Sequence, residues 1–293
     1  VRVILACIAL LGLVGVAAAT PQVVSYSNGW EQGITGNGMW NHTQIMADDR
    51  FQRVQQPVRK GQYAVRVEVR PGDDPLGSSG ERAEVSILKG LDGRAIQENT
   101  QSGVQYIAFS VRLAHDWQAP EIEAGAGRWG ILAQLHGPDT LIFPPAFSFQ
   151  ALDGYSVVFY SGDLDSTTES LRNQRFALWD ATLNLGRWTD FVFRIDFAED
   201  FTGTFDVWRR DEQELDFRHV LSLDNLPTLQ YKSSEGSVGD HYWKHGFYRS
   251  KQTRVTNVLW LDGFSRATSF DEVVDAAFPT QPIVNLYLPL ARR

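Results

Sequence analysis

Apolar and polar residues alternate along most of this chain with the period of two that an extended strand imposes. The pattern is clean in 63–70 (YAVRVEVR), 81–88 (ERAEVSIL), 104–113 (VQYIAFSVRL) and 130–136 (GILAQLH). It continues in 155–160 (YSVVFY), 188–197 (WTDFVFRIDF), 203–209 (GTFDVWR), 242–249 (YWKHGFYR) and 255–261 (VTNVLWL). Clusters of Gly, Pro, Asp and Ser, such as PGDDPLGSSG and SSEGSVGD, separate these runs and read as turns. Only 167–174 and 270–277 suggest short helices. Residues 271–293 end in a Pro-rich apolar stretch with the character of a last strand or a loose tail.

Many strands and few helices predict an all-β sandwich, a jelly roll of two antiparallel sheets. In 188–197, Phe191, Phe193, Ile195 and Phe197 share one face, while Asp190, Arg194 and Asp196 share the other. That division fits a sheet with one side in the core and one side wet. The 293 residues, 43% of them hydrophobic, are ample for one large domain. With no boundary visible, residues 20–293 are read as a single unit.

Charge narrows the partners. A formal net charge of −8 and a pI near 5.3 speak against nucleic acid or an anionic membrane as the target. At the N-terminus, Arg2 precedes an apolar run from Val3 to Val16 and the small residues Ala17-Ala18-Ala19. This is a signal-peptide pattern over 1–19, and its apolar run is short for a membrane span of about 20 residues. Secretion is therefore expected, with no membrane contact in the mature form. The single cysteine, Cys7, falls inside that segment, so the mature chain has no disulfide or thiolate metal site. Asn41-His42-Thr43 is a formal glycosylation sequon, without meaning in a bacterial source.

Three strands spend their second face unusually. Arg82 and Glu84 share a face opposite Ala83, Val85 and Ile87. Gln134 and His136 share one opposite Ala133 and Leu135. In 242–249, Tyr242, Lys244, Gly246 and Tyr248 face one way, and Trp243, His245, Phe247 and Arg249 the other. Taken singly, each has a bland explanation: a cross-strand ion pair, a satisfied polar pair, a packed tyrosine. His241 and His245 are four apart, a metal spacing only on a helix, and read as structural. Of the nine tryptophans, Trp117, Trp129, Trp179 and Trp188 could stack sugars, but core packing is the commoner role and none is assigned.

Together, GERAEV, the Q-x-H of AQLHG and YWKHGFYR resemble motifs of the jelly-roll polysaccharide lyases, in the family's order across 81–250. The likeness is to the glucuronan lyase and heparin lyase I type, with alginate lyases of the same fold further off. Arg249-Ser250 stands where alginate lyases commonly carry Asn-Gln, which shifts the expectation towards β-1,4-glucuronan. Heparin or alginate is the runner-up.

The resemblance implies β-elimination on a 4-linked uronic acid chain. A base removes the C5 proton, the substrate carboxylate is neutralised, and O4 leaves with a proton. Arg82 and Gln134 are expected to neutralise the carboxylate. Tyr248 and His136 are expected to move protons. Lys244, Glu84 and Arg249 are expected to bind substrate. Lys244 would also lower the pKa of Tyr248, and Gly246 would leave room for a sugar ring. Arg82, Lys244, Arg249, Lys251 and Arg254 could make the cleft locally basic. No cofactor is needed for this chemistry. A structural calcium ion is conceivable, with Asp262 in LWLDGF the one candidate ligand, although Asp-Gly is more often a turn. The protein is expected to act as a monomer. A hydrolase of this fold would need paired carboxylates, and the E-x-D-x-x-E pattern is absent. A non-catalytic carbohydrate-binding module would need aromatics and charges, but not Arg82, His136 and Tyr248 together.

Overall fold

The computed structural model describes residues 26–35, 40–77, 79–87, 98–125, 127–137, 144–165, 174–234, 236 and 240–280. The signal-peptide segment, most of the candidate helix at 167–174 and the chain after 280 lie outside the described residues.

In chain order the strands begin with β1 (Tyr26–Asn28), β2 (His42–Ile45), β3 (Phe51–Val54), β4 (Ala64–Val69) and β5 (Glu81–Ser86). Next come β6 (Val104–Leu113), β7 (Gly130–His136), β8 (Phe147–Ala151), β9 (Tyr155–Phe159), β10 (Gly162–Asp163) and β11 (Gln174–Ala177). The last are β12 (Trp188–Asp196), β13 (Thr204–Asp211), β14 (Arg218–Leu223), β15 (Gln230–Tyr231), β16 (Tyr242–Arg249) and β17 (Asn257–Ala267). The helix predicted at 270–277 forms as α1 (Phe270–Ala277), capped by Ser269 Oγ accepting from the Glu272 amide.

Two large antiparallel sheets carry the molecule. One runs β14-β13-β12-β6-β17-β4-β3, with β1 also on β17; the other runs β11-β9-β8-β7-β16-β5-β2. This is the jelly roll predicted from the alternation. The apolar faces meet in one core, where Phe109, Phe191 and Phe193 from the first sheet interlock with Phe147, Phe149, Trp243 and Phe247 from the second. Burying each such side chain contributes about 1.5–3 kcal/mol. His245 belongs to this core: fully buried between Trp40, Phe109 and Phe264, its Nδ1 donates to the Leu132 carbonyl. Burial pushes its pKa down to about 3, so it stays neutral.

The outer face of the first sheet differs from the wet surface expected of it. α1 packs there, closing a small second core of Ala108, Val192, Ala267, Val273 and Phe278. Beside it Asp190 is fully buried, and its carboxylate accepts from Arg59, Arg210 and Ser110. A buried carboxylate survives there because two guanidinium groups close on it.

Asp262, the candidate calcium ligand, has another role. Its carboxylate accepts backbone N–H groups of Arg59, Lys60 and Gly263, pinning the 59–60 segment to β17. Burial pushes its pKa up to about 7 against those hydrogen bonds. Among the described residues, no group of three or more His, Cys, Asp or Glu side chains is placed to hold a metal ion. The surroundings of Asp262 are amide donors, which suit an anion.

Candidate active site

The second sheet turns a polar face away from the core, and β2, β5, β16 and β7 lie side by side in it. Register brings Glu84 opposite Gln44 and Gly246, Lys244 opposite Ser86 and Gln134, Tyr248 opposite Arg82, and Tyr242 opposite His136. Arg82, Gln134, Lys244, Tyr248, Glu84 and His136 therefore share one sheet face.

Their contacts form a knot around Glu84. Its carboxylate meets Lys244 Nζ at 2.8 Å and Arg82 Nη1 at 3.4 Å, and accepts from Gln134 Nε2 at 2.5 Å. Gln44 Oε1 accepts from both cations, at 3.0 Å from Arg82 and 2.7 Å from Lys244. Burial alone would push the Glu84 pKa up. The charges of Lys244 and Arg82, helped by hydrogen bonds from Lys244 and Gln134, overcome it and hold the carboxyl below its ordinary range. With its carboxylate taken up by Lys244, Arg82 and Gln134, and its charge of the same sign as a uronate, Glu84's expected substrate-binding role gives way to an organising one. It balances one of two positive charges, aims both cations, and holds Gln134.

Tyr248 sits at the edge of this knot. The Arg82 guanidinium carbon lies 3.7 Å from the centre of its ring, and Trp129 meets it edge to face at 5.7 Å. Ser79 Oγ accepts from Arg82 Nη2 at 2.6 Å. Burial is the largest influence on the phenol and raises its pKa, and Glu84 adds to that; Arg82 and Ser79 act in the opposite sense. The expected tuning by Lys244 is thus corrected. Lys244 is held by Glu84, and the cation against the ring is Arg82.

Gly246 also has a different reason from the one expected. Its φ is +148°, and a β-carbon there would stand 2.3 Å from the Ala83 carbonyl oxygen and 2.7 Å from the Glu84 Cα. The obstruction lies in strand β5 beside it, not in an open groove. β16 also shifts register against β7 between His245 and Tyr248, as at a β-bulge. Glycine is what this close approach of two backbones permits.

His136 is half-buried, one ring from Tyr242 at 5.3 Å, and its Nδ1 donates to the Gly137 carbonyl at 2.9 Å. In a neutral ring this makes Nε2 the acceptor nitrogen. It stands six residues along β16 from Tyr248, by way of its partner Tyr242.

Arg249 is the clear departure. It is fully buried on the other side of β16, paired with Glu81 at 2.7 Å and donating to the Val255 carbonyl and Asn257 Oδ1. It cannot touch a sugar on the polar face. Nor do the other expected cations stand free: Lys251 pairs with Asp74 and Arg254 with Glu121. Trp117 and Trp188 are core residues, Trp179 is 80% exposed, and Trp129 alone of the four adjoins the tyrosine.

Three contributors were missed in the sequence: Gln44, Ser79 and Gly80. A β-carbon at Gly80 would stand 2.4 Å from Tyr248 Cε2, so the ring rests on this glycine. The signal for it was the first letter of GERAEV. Gln44 lies in a short strand with no distinctive pattern.

A family model described as polysaccharide lyase matches residues 28–265. The chain belongs to that family. It is a polysaccharide lyase, with a jelly-roll fold shared by lyases of known structure. The endo-β-1,4-glucuronan lyase from the fungus Trichoderma reesei is 17% identical with a TM-score of 0.59, over 83% of this chain and 95% of that one. The marine PL-14 alginate lyase from Aplysia kurodai is 9% identical with a TM-score of 0.51, over 80% of this lyase and 99% of that one. At such identities the likeness is one of fold. A search of curated proteins finds no match.

Proposed function

We propose that this lyase is secreted and cleaves a 4-linked uronic acid polysaccharide, β-1,4-glucuronan, leaving an unsaturated uronate at the new end. The observation that carries the reading is the stacking of Arg82 on Tyr248 beside Gln134, on one polar sheet face. The Arg2-to-Ala19 pattern supports secretion. The similarity in fold to a glucuronan lyase supports the polymer.

In the elimination the C5–H bond breaks, its electron pair forms the C4=C5 double bond, and the C4–O4 bond breaks with its pair on O4. Charge builds on the substrate carboxylate, where Arg82 and the Gln134 amide can stabilise it. In β-1,4-glucuronan the C5 proton and O4 lie on the same side of the ring. One oxygen, that of Tyr248, can then accept the first proton and return it to O4. Arg82 and Ser79 support the phenolate this requires. His136, paired with Tyr242 six residues along β16, is assigned no part in this step.

A hydrolase reading is disfavoured by the strand residues of this face. Glu84 is the one carboxylate among the facing residues of β2, β5, β16 and β7, and it is buried in ion pairs. Glycosidases of the usual kind need two. The deciding test is a panel of glucuronan, alginate blocks, heparin and hyaluronan, read by ultraviolet absorbance of the unsaturated product. Glucuronan should give the fastest rise. Preference for guluronate or iduronate linkages, whose proton and leaving group lie on opposite sides, would overturn both the polymer and the single-tyrosine route.

A further inference from the structure

One line of paired residues crosses the polar face from the knot to the far edge of the sheet. Lys244 pairs with Gln134, Gln134 with Ser148, Ser148 with Val158, and Val158 with Arg175. Lys244 and Arg175 therefore point to the same side. Four strand steps separate them, on the order of 19 Å at about 4.8 Å per step. That is a run of several sugar rings, laid across the strands.

Arg175 is an exposed residue on β11, the edge strand. An edge cation often serves only to discourage pairing with another chain. This one is instead drawn back over the sheet. Its Nη1 donates to Ser156 Oγ at 2.9 Å and its Nη2 to Gln150 Oε1 at 3.2 Å, while Gln150 Nε2 donates to Ser148 Oγ at 2.9 Å. Ser148, Gln150 and Ser156 are buried, at 2%, 4% and 7% exposure. These partners orient the guanidinium, and among the described residues no carboxylate pairs with it. Partial burial, with the nearby charge of Arg128, holds the Arg175 pKa below its ordinary value. Arg128 is itself closed by Asp153. The cations around Tyr248 contrast with this, since Arg82 and Lys244 share Glu84.

We propose that Arg175 forms a distal subsite for a uronate carboxylate, several sugars along the same chain from the linkage cleaved at Tyr248. The proposal rests on the lyase reading of the Tyr248 site and adds to it. Charge at both ends of the row makes the enzyme measure the length and the charge of its substrate. The buried serines and glutamine are the support that keeps a fork-shaped donor set aimed across the face.

The test compares the wild-type chain with Arg175→Gln and Arg175→Lys on oligoglucuronates of increasing length. Arg175→Gln keeps an amide within reach of Ser156, and the thermal midpoint of each variant confirms folding. KM for long oligomers should rise about tenfold in Arg175→Gln, the scale of one charge-assisted contact. The shortest oligomer cleaved should show unchanged kcat and KM, and Arg175→Lys should recover part of the loss. Equal loss at every length, or no loss at any, overturns the subsite. Calorimetric binding of the same oligomers needs no turnover. If the wild type binds long oligomers and cleaves none, the lyase reading fails, and the affinity of Arg175→Gln still decides the subsite: weaker by about tenfold supports it, unchanged overturns it.

Discussion

The guanidinium carbon of Arg82 lies 3.7 Å from the centre of the Tyr248 ring. Cation and phenol sit opposite each other on neighbouring strands, in register. The pairing gives Arg82 two uses. It opposes the rise that burial imposes on the phenol, and in the proposed elimination it would meet the charge that develops on a substrate carboxylate. In the resting enzyme Arg82 also spends donors on Gln44, Glu84 and Ser79. Its Nε is buried without a hydrogen-bond partner among the described residues.

Tyr248→Phe removes the oxygen proposed to transfer protons and keeps the ring against Arg82 and Trp129. Turnover should fall by about 10²–10⁴-fold, the usual scale for such a group, while the thermal midpoint stays close to wild type. Product absorbance at the wild-type rate would remove Tyr248 from the mechanism.

The direction of the Tyr248 shift fixes a pH dependence. A raised pKa makes the phenolate a minor species at neutral pH. If the phenolate takes the C5 proton, kcat/KM should climb about tenfold per pH unit from neutrality towards the Tyr248 pKa, above its ordinary value of about 10. Below about pH 9 the phenol is largely protonated in both the folded and unfolded chain, so that part of the limb does not reflect folding; above about pH 10 the raised folded pKa also costs stability. A rate that is flat with pH, then falls, would mean that Tyr248 acts only as the acid, with another group as base.

Glu84 holds two cations in a buried site, so Glu84→Gln leaves excess positive charge there. It should cost about 3–5 kcal/mol in urea unfolding, the scale for breaking a buried pair from one side. The double variant Glu84→Gln/Lys244→Met removes one cation as well, and should lose less than the two single variants summed, by about 0.5–3 kcal/mol. Because the Glu84 pKa is depressed, its contribution is present above the ordinary carboxyl value of 4.5 and is lost as pH falls through the folded value. Additive losses would break the picture of a shared knot.

The alternation that announced the sheets was legible because one face of each central strand is packed in a core. Phe191, Phe193 and Ile195 could hardly be read otherwise. It faltered on short strands: FSFQA of β8 places Phe147 and Phe149 in the core, but five residues give little period to detect. The polar site was legible as motifs, and its wiring was not. Whether Lys244 addresses Tyr248 or Glu84 depends on which strand lies beside β16, and strand order is set by the whole fold. Arg249 shows the same limit. Its alternation placed it opposite Tyr248, yet the resemblance carried it into the substrate set. The structure follows the alternation, since Glu81 on the adjacent strand takes its charge.

Arg249 therefore predicts a stability effect. Arg249→Met should lower unfolding free energy by about 3–5 kcal/mol, because Glu81 is left buried and unpaired. KM measured on the folded fraction should not change. A KM rise with normal stability would return Arg249 to the substrate set.

Gly80 gives the sharpest test of how Tyr248 is held. A β-carbon at this position meets Tyr248 Cε2 at 2.4 Å, the Arg249 carbonyl oxygen at 2.5 Å and Trp129 Cζ2 at 3.1 Å. The carbonyl belongs to a strand and cannot easily yield, so the ring must. Gly80→Ala should cost about 1–3 kcal/mol as overpacking and lower kcat by moving the phenol away from Arg82. General destabilisation could also lower kcat, and the Tyr248→Phe background separates the two. If Gly80 acts by seating the phenol, Gly80→Ala should add almost nothing to the turnover already lost in Tyr248→Phe. If it acts through the fold, the two losses should multiply. Turnover measured in both single variants and the double, well below their melting temperatures, distinguishes these outcomes.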